Sequence, residues 1–159
     1  NEFVFEFLTQ HDNEYLTELH QLFMQKVIRP QMRPEGFKAI QHHKDAGHEL
    51  VGITATSDFI TAPIFREFGI TEIIATNAEV VDGKYTGKVI NIPCYQKGKL
   101  ARLDQWLEGR EVTESWAYSD SINDRFLLEY ADHSIAVNPD DRLEALATEQ
   151  DWDIQDWSI

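Results

Sequence analysis

The stretch Trp116-Ala117-Tyr118-Ser119-Asp120-Ser121-Ile122-Asn123-Asp124 decides the fold. A short apolar run from Ser115 to Tyr118 reaches Ser119-Asp120, and a helical pattern follows from Ile122 to Tyr130. Asp120 and Asp124 straddle the start of that helix. Positions i and i+4 share one helix face, so the spacing aims both carboxylates at one spot beyond the carboxyl end of the strand. Ligands of open α/β sheets bind at that end. Two hard carboxylates there suit Mg²⁺, which takes one or two carboxylates and fills its shell with water and substrate phosphate. The plainer use of the same residues is a helix cap at Asp120 and a first-turn charge at Asp124, where the helix dipole favours it.

Outward from this stretch, strands and helices alternate. Residues 1–8 fit either a strand or the end of a buried helix. Asp12 or Asn13 opens a helix that carries Leu16, Leu19, Leu22 and Val27 at helical spacing, and Pro30 and Pro34 break it from the next, which ends at Gly47. His48 to Ile53 is predicted as a strand with Thr54 at its end, and Ser57 or Asp58 caps a helix that runs to Phe68. Ile73 to Thr76 is a further strand. Val80 to Val89 reads as a hairpin around Asp82-Gly83, a strong two-residue turn signal. Helices over Lys97–Leu107 and Asp140–Gln150 and a strand over His133–Val137 complete the pattern. Such alternation implies an α/β fold with a mostly parallel sheet and right-handed crossovers. The loops after Thr54, Tyr118 and Val137 then share one edge.

At 159 residues the chain is long enough for one domain with a real core. Its formal net charge of −14 argues against nucleic acid and anionic membrane as partners, because both require basic patches. No apolar run approaches a membrane span, and the opening residues lack the basic start of a signal peptide. Cys94 is the only cysteine and reads as a reduced structural thiol of a cytoplasmic protein. Oligomeric state is left open.

Two further residues carry candidate chemistry. Thr54 puts a hydroxyl beside free backbone N–H groups at a helix start, a place suited to anions, although a plain strand-to-helix turn uses the same residues. Lys99 opens a helix where the dipole disfavours a cation. It pairs there with a carboxylate or phosphate, or else is a solvated surface lysine. The six histidines form no metal-ligand spacing and read as surface or packing residues. The four tryptophans read as packing residues.

In this order, the strand before Thr54-Ala55-Thr56-Ser57-Asp58-Phe59, then Thr86-Gly87-Lys88-Val89, then Gly98-Lys99, then the strand before Ser119-Asp120-Ser121-Ile122-Asn123-Asp124 resemble the haloacid dehalogenase (HAD) superfamily. The resemblance is to its phosphoserine-phosphatase-like subgroup and covers roughly residues 13–157. Ser119 stands where the family pattern has Gly. The resemblance implies a Rossmann-like HAD core over residues 33–159, a small β-hairpin, and the last part of a helical cap over residues 1–32. It also implies a Mg²⁺-dependent phosphatase for a small phosphorylated substrate. Asp120 and Asp124 would hold the metal, Thr54 the phosphoryl oxygens and Lys99 the nucleophile and transferring group, while Asn123 would orient the loop or substrate.

The family's first motif, Asp-x-Asp on the first strand, which supplies the nucleophile and the general acid, has no match in these residues. The sequence therefore carries two readings. One is a phosphatase whose nucleophile lies upstream of Asn1, on a strand between the Thr54 and Asp120 strands. The other is a non-catalytic metal- or phosphate-binding remnant.

Overall fold

The computed structural model describes residues 2–91, 94–95 and 97–158. They divide into two compact units, Asn1–Cys94 and Tyr95–Ile159.

The first unit opens with α1 (Glu2–Thr9), which settles the ambiguous first residues as a helix. Phe5 and Leu8 on α1 join Leu16 and Ala78 in a buried cluster, with Tyr85 and Val89 against it. The next helix, α2 (Asn13–Phe23), is capped by Asp12, whose carboxylate accepts from the Tyr15 N–H at 2.8 Å. It widens into a π-helical turn over Met24–Ile28 and a tight turn over Arg29–Gln31. Pro30 lacks the N–H that would continue the ladder. Pro34 then opens α3 (Pro34–Asp45).

The strand β1 (Val51–Ser57) starts later and ends later than its sequence implies. It runs parallel to β2 (Glu72–Thr76), and the pairing is irregular between Ile53 and Ser57. Helix α4 (Asp58–Glu67) follows at once, with Ser57 as its cap. The hairpin forms as its turn signal requires. β3 (Ala78–Val81) and β4 (Lys84–Val89) pair antiparallel, with φ of 49° at Asp82 and 75° at Gly83. Both positive values are what a type I′ turn needs. Asn13 Nδ2 donates to the Gly83 carbonyl at 2.6 Å, which ties α2 to this turn. Cys94 is fully buried and its Sγ lies 3.7 Å from the Ile74 carbonyl, as a structural thiol should.

In the second unit, α5 (Lys97–Leu107) precedes β5 (Trp116–Ser119). A tight turn over Ile122–Asp124 leads into α6 (Arg125–Tyr130), and β6 (His133–Val137), α7 (Asp141–Glu149) and β7 (Asp153–Gln155) follow. The parallel order is β5-β6-β7. Leu128, Ala136, Leu143 and Ala147 form the core between α6, β6 and α7, with Trp152 packed on them. The four tryptophans are half-buried rather than core residues. Sequence reasoning missed β7, because Asp151-Trp152-Asp153 carries no apolar alternation.

The expected parallel pairing is found in both units, β1-β2 in the first and β5-β6-β7 in the second. Among the described residues, β1 pairs with β2 and β5 with β6. No helix among them is long and apolar enough to cross a membrane.

Two stability predictions follow from the first unit. Gly52 on β1 lets the Phe65 ring of α4 lie on the strand, and a Cβ there would stand 2.5 Å from that ring. Gly52→Val should therefore lower stability by about 1–3 kcal/mol through overpacking. An unchanged denaturation midpoint would show that Phe65 swings aside freely. The second concerns His43, which is buried, with its Nδ1 2.8 Å from Nδ1 of His48. Burial pushes its imidazole below the ordinary value, and His48 and His42 add to the effect. A lowered value means that the folded chain binds fewer protons than the unfolded one. The contribution is then full above the unfolded value of about 6.5 and is lost as pH falls from there through the lower folded value. His43→Gln should flatten the loss of stability between about pH 7 and pH 5; parallel curves for the two proteins would contradict this.

Candidate active site

Lys99 lies in the first turn of α5 and is only 7% exposed. A buried ammonium at the positive end of a helix is doubly unfavourable unless an anion meets it. Asp124 meets it: one carboxylate oxygen accepts from Lys99 Nζ, and the other accepts from Ser119 Oγ at 2.8 Å. The side chains of Lys99 and Asp124 are 9% and 16% exposed, so water screens the pair little. The lysine is therefore not a solvated surface residue, and Ser119 does specific work by holding Asp124 at the end of β5.

The loop geometry corrects one expectation. A tight turn over Ile122–Asp124 precedes α6, which starts only at Arg125. Asp120 and Asp124 therefore do not sit one above the other on a regular helix. Asp120 lies just past β5, exposed, with no side-chain hydrogen bond among the described residues. Asn123 is also exposed, and its N–H donates to Ser121 Oγ at 3.3 Å. Its side chain has no hydrogen-bond partner among the described residues.

Asp140, expected only to start the last helix, binds this loop. Its Oδ1 caps α7, accepting from the N–H groups of Arg142 and Leu143 at 3.1 and 2.9 Å. Its Oδ2 accepts from the Ile122 N–H at 2.9 Å, and its own N–H donates to the Asp120 carbonyl at 2.9 Å. These bonds, that from Ile122 foremost, hold its carboxyl below the usual carboxylate range.

Thr54 belongs to the first unit. It lies within β1 rather than at its end, and its Oγ1 accepts from the Thr56 N–H at 3.2 Å. At the true end of β1, Asp58 accepts from Asn77 Nδ2 at 2.9 Å and from the Ala78 N–H at 3.2 Å, which pins the start of α4 to the hairpin. Sequence reasoning saw Asp58 only as a cap. A cleft of about 970 Å³ opens here, lined by His20, Gln25, Asp58, Arg66 and Tyr85 among others. Arg29 and Glu67 form a two-pronged ion pair beside it, at 2.5 and 3.1 Å.

The donor chemistry admits Mg²⁺ at the Asp120 loop. The Asp120 carboxylate is hard, exposed and uncommitted, and one or two protein carboxylates suffice for this ion. Both Asp124 oxygens are already engaged, so Asp120 is the available ligand. No group of three or more His, Cys, Asp or Glu side chains among the described residues is arranged to hold a metal.

The family model of haloacid dehalogenase-like hydrolases matches residues 1–129. A histidinol-phosphatase of Neisseria meningitidis is 40% identical over 153 residues, covering 92% of this chain and 69% of that protein. A phosphoserine phosphatase of Mycobacterium tuberculosis is 39% identical over 121 residues, and the match covers 75% of this chain but only 39% of its own length. Among solved structures, a Bordetella pertussis protein of unknown function superposes with a TM-score of 0.93 at 38% identity, over 99% of this chain and 73% of that one. A phosphoserine phosphatase trapped as an analogue of its phospho-aspartyl intermediate shares the fold, with a TM-score of 0.57 at 22% identity over 77% of this chain and 57% of that one. The chain belongs to the haloacid dehalogenase-like hydrolases.

Proposed function

We propose that the protein is a Mg²⁺-dependent phosphomonoesterase for a small phosphorylated metabolite, of the phosphoserine or histidinol phosphate kind. The observation that carries this reading is the buried Lys99, held by Asp124 and Ser119 at the strand end that presents Asp120. The names of the relatives from Neisseria and Mycobacterium support it.

In this reading an aspartate outside residues 1–159 attacks phosphorus, the bond to the alcohol oxygen breaks, and an aspartyl-phosphate forms. An acid on the same segment protonates the leaving alcohol, and water then hydrolyses the acyl phosphate. Lys99 steadies the nucleophile and the transferring group, and the Thr54 hydroxyl holds phosphoryl oxygens. Asn123 orients the loop or substrate. Asp120, with Asp124 behind it, would hold Mg²⁺, which when bound offsets charge on the phosphoryl group. Residues 1–32 would close the cap and residues 33–159 form the core. A cytoplasmic setting fits the single buried thiol.

In the full-length protein, Asp120→Asn should lower Mg²⁺-dependent kcat/KM for p-nitrophenyl phosphate by about 10²-fold or more. Stability should stay within about 0.5 kcal/mol of the parent, because the side chain is exposed. Near-normal turnover would remove Asp120 from the site. Residues 1–159 alone should show no turnover. Asp120-dependent activity in that fragment would locate the nucleophile within it and overturn the scheme.

A further inference from the structure

We propose that Asp140 is a positioning residue for the Asp120 loop, fixing the metal ligand through the backbone on either side of it. The inference rests on the proposed Mg²⁺ reading of Asp120.

Among the described residues the Asp120 side chain makes no hydrogen bond, so its placement depends on its main chain. On one side β5 ends at Ser119, paired with Ala136 of β6. On the other, the chain must turn sharply into Ile122–Asp124. Asp140 grips both sides of that turn. Its backbone N–H takes the Asp120 carbonyl, and its Oδ2 takes the Ile122 N–H, each at 2.9 Å. Its other oxygen is fixed by the first turn of α7, and α7 is anchored by the fully buried Leu143 and Ala147. The carboxylate thus transmits the rigidity of a packed helix to an exposed loop. Both of its oxygens accept from N–H groups, so a carboxylate fills both roles where a single hydroxyl or an amide fills one. Outer partners of this kind commonly govern metal affinity by about 10–100-fold.

The two roles can be separated. Serine is as good a helix cap as aspartate, but its one short oxygen cannot also reach Ile122. In the full-length protein, Asp140→Ser should keep the melting temperature close to that of the parent while the Mg²⁺ dissociation constant, read by calorimetric titration, rises about tenfold or more. The pH profile of turnover should keep its shape, with the loss regained at high Mg²⁺. Asp140→Ala, which loses the helix cap as well as the Ile122 bond, should lower the melting temperature too. Should Asp140→Ser fail to fold, Asp140→Asn reads the same constant with the side-chain shape preserved. A folded variant that binds Mg²⁺ as tightly as the parent overturns the proposal, provided that Asp120→Asn abolishes the same binding. If Asp120→Asn leaves Mg²⁺ binding intact, the metal reading itself fails, and the role of Asp140 falls with it.

Discussion

The second unit is organised around one constraint: an ammonium buried in the first turn of a helix must have an anion against it. Lys99 is 7% exposed, and taking such a charge from water costs several kcal/mol unless it is paired and hydrogen-bonded. Asp124 supplies the charge, and Ser119 satisfies the second carboxylate oxygen. These three residues come from α5, the end of β5 and the turn before α6. Their meeting therefore fixes the strand end against the helix start. A buried pair of this kind is weak evidence for stability as such. It is better understood as holding a cation where bulk water would otherwise draw it away.

The fold was legible wherever the signal was local. Asp12 and Asp140 cap helices because their side chains reach N–H groups two or three residues ahead. Asp82-Gly83 sets the hairpin because both residues adopt positive φ. Where several principles compete within a few residues, the reading slipped. Thr54-Ala55-Thr56-Ser57 looked like a turn by composition, yet β-branched threonines also favour strands, and β1 runs on to Ser57 with irregular pairing. β7 was invisible because its pairing with β6 comes from tertiary contact rather than from its own pattern.

The Lys99–Asp124 pairing was legible as a candidate set of residues and not as a geometry. Lys99, Asp120 and Asp124 stood out by residue type and position, but spacing alone suggested that the two carboxylates act alike. The tight turn at Ile122–Asp124 separates them. Asp124 turns inward to Lys99, and Asp120 stays outward and uncommitted. Ser119 and Asp140 could not be singled out in advance, since each matters through a bond whose partner is decided only on folding. The span from Ile122 to Asp140 is long in sequence and short in space.

The charge of the chain bears on how such a site could attract its substrate. A net charge of −14 repels a phosphate monoester at long range and draws in a divalent cation. At physiological ionic strength this field decays over about 8 Å, so attraction for an anion must be supplied within the site itself. Lys99 is the cation shown to be fixed there, and Asp124 already offsets its charge. Acting alone, that neutralised pair would offer a dianion little. Under the proposed metal reading, a divalent ion held by Asp120 would turn this locally negative loop into a net positive one.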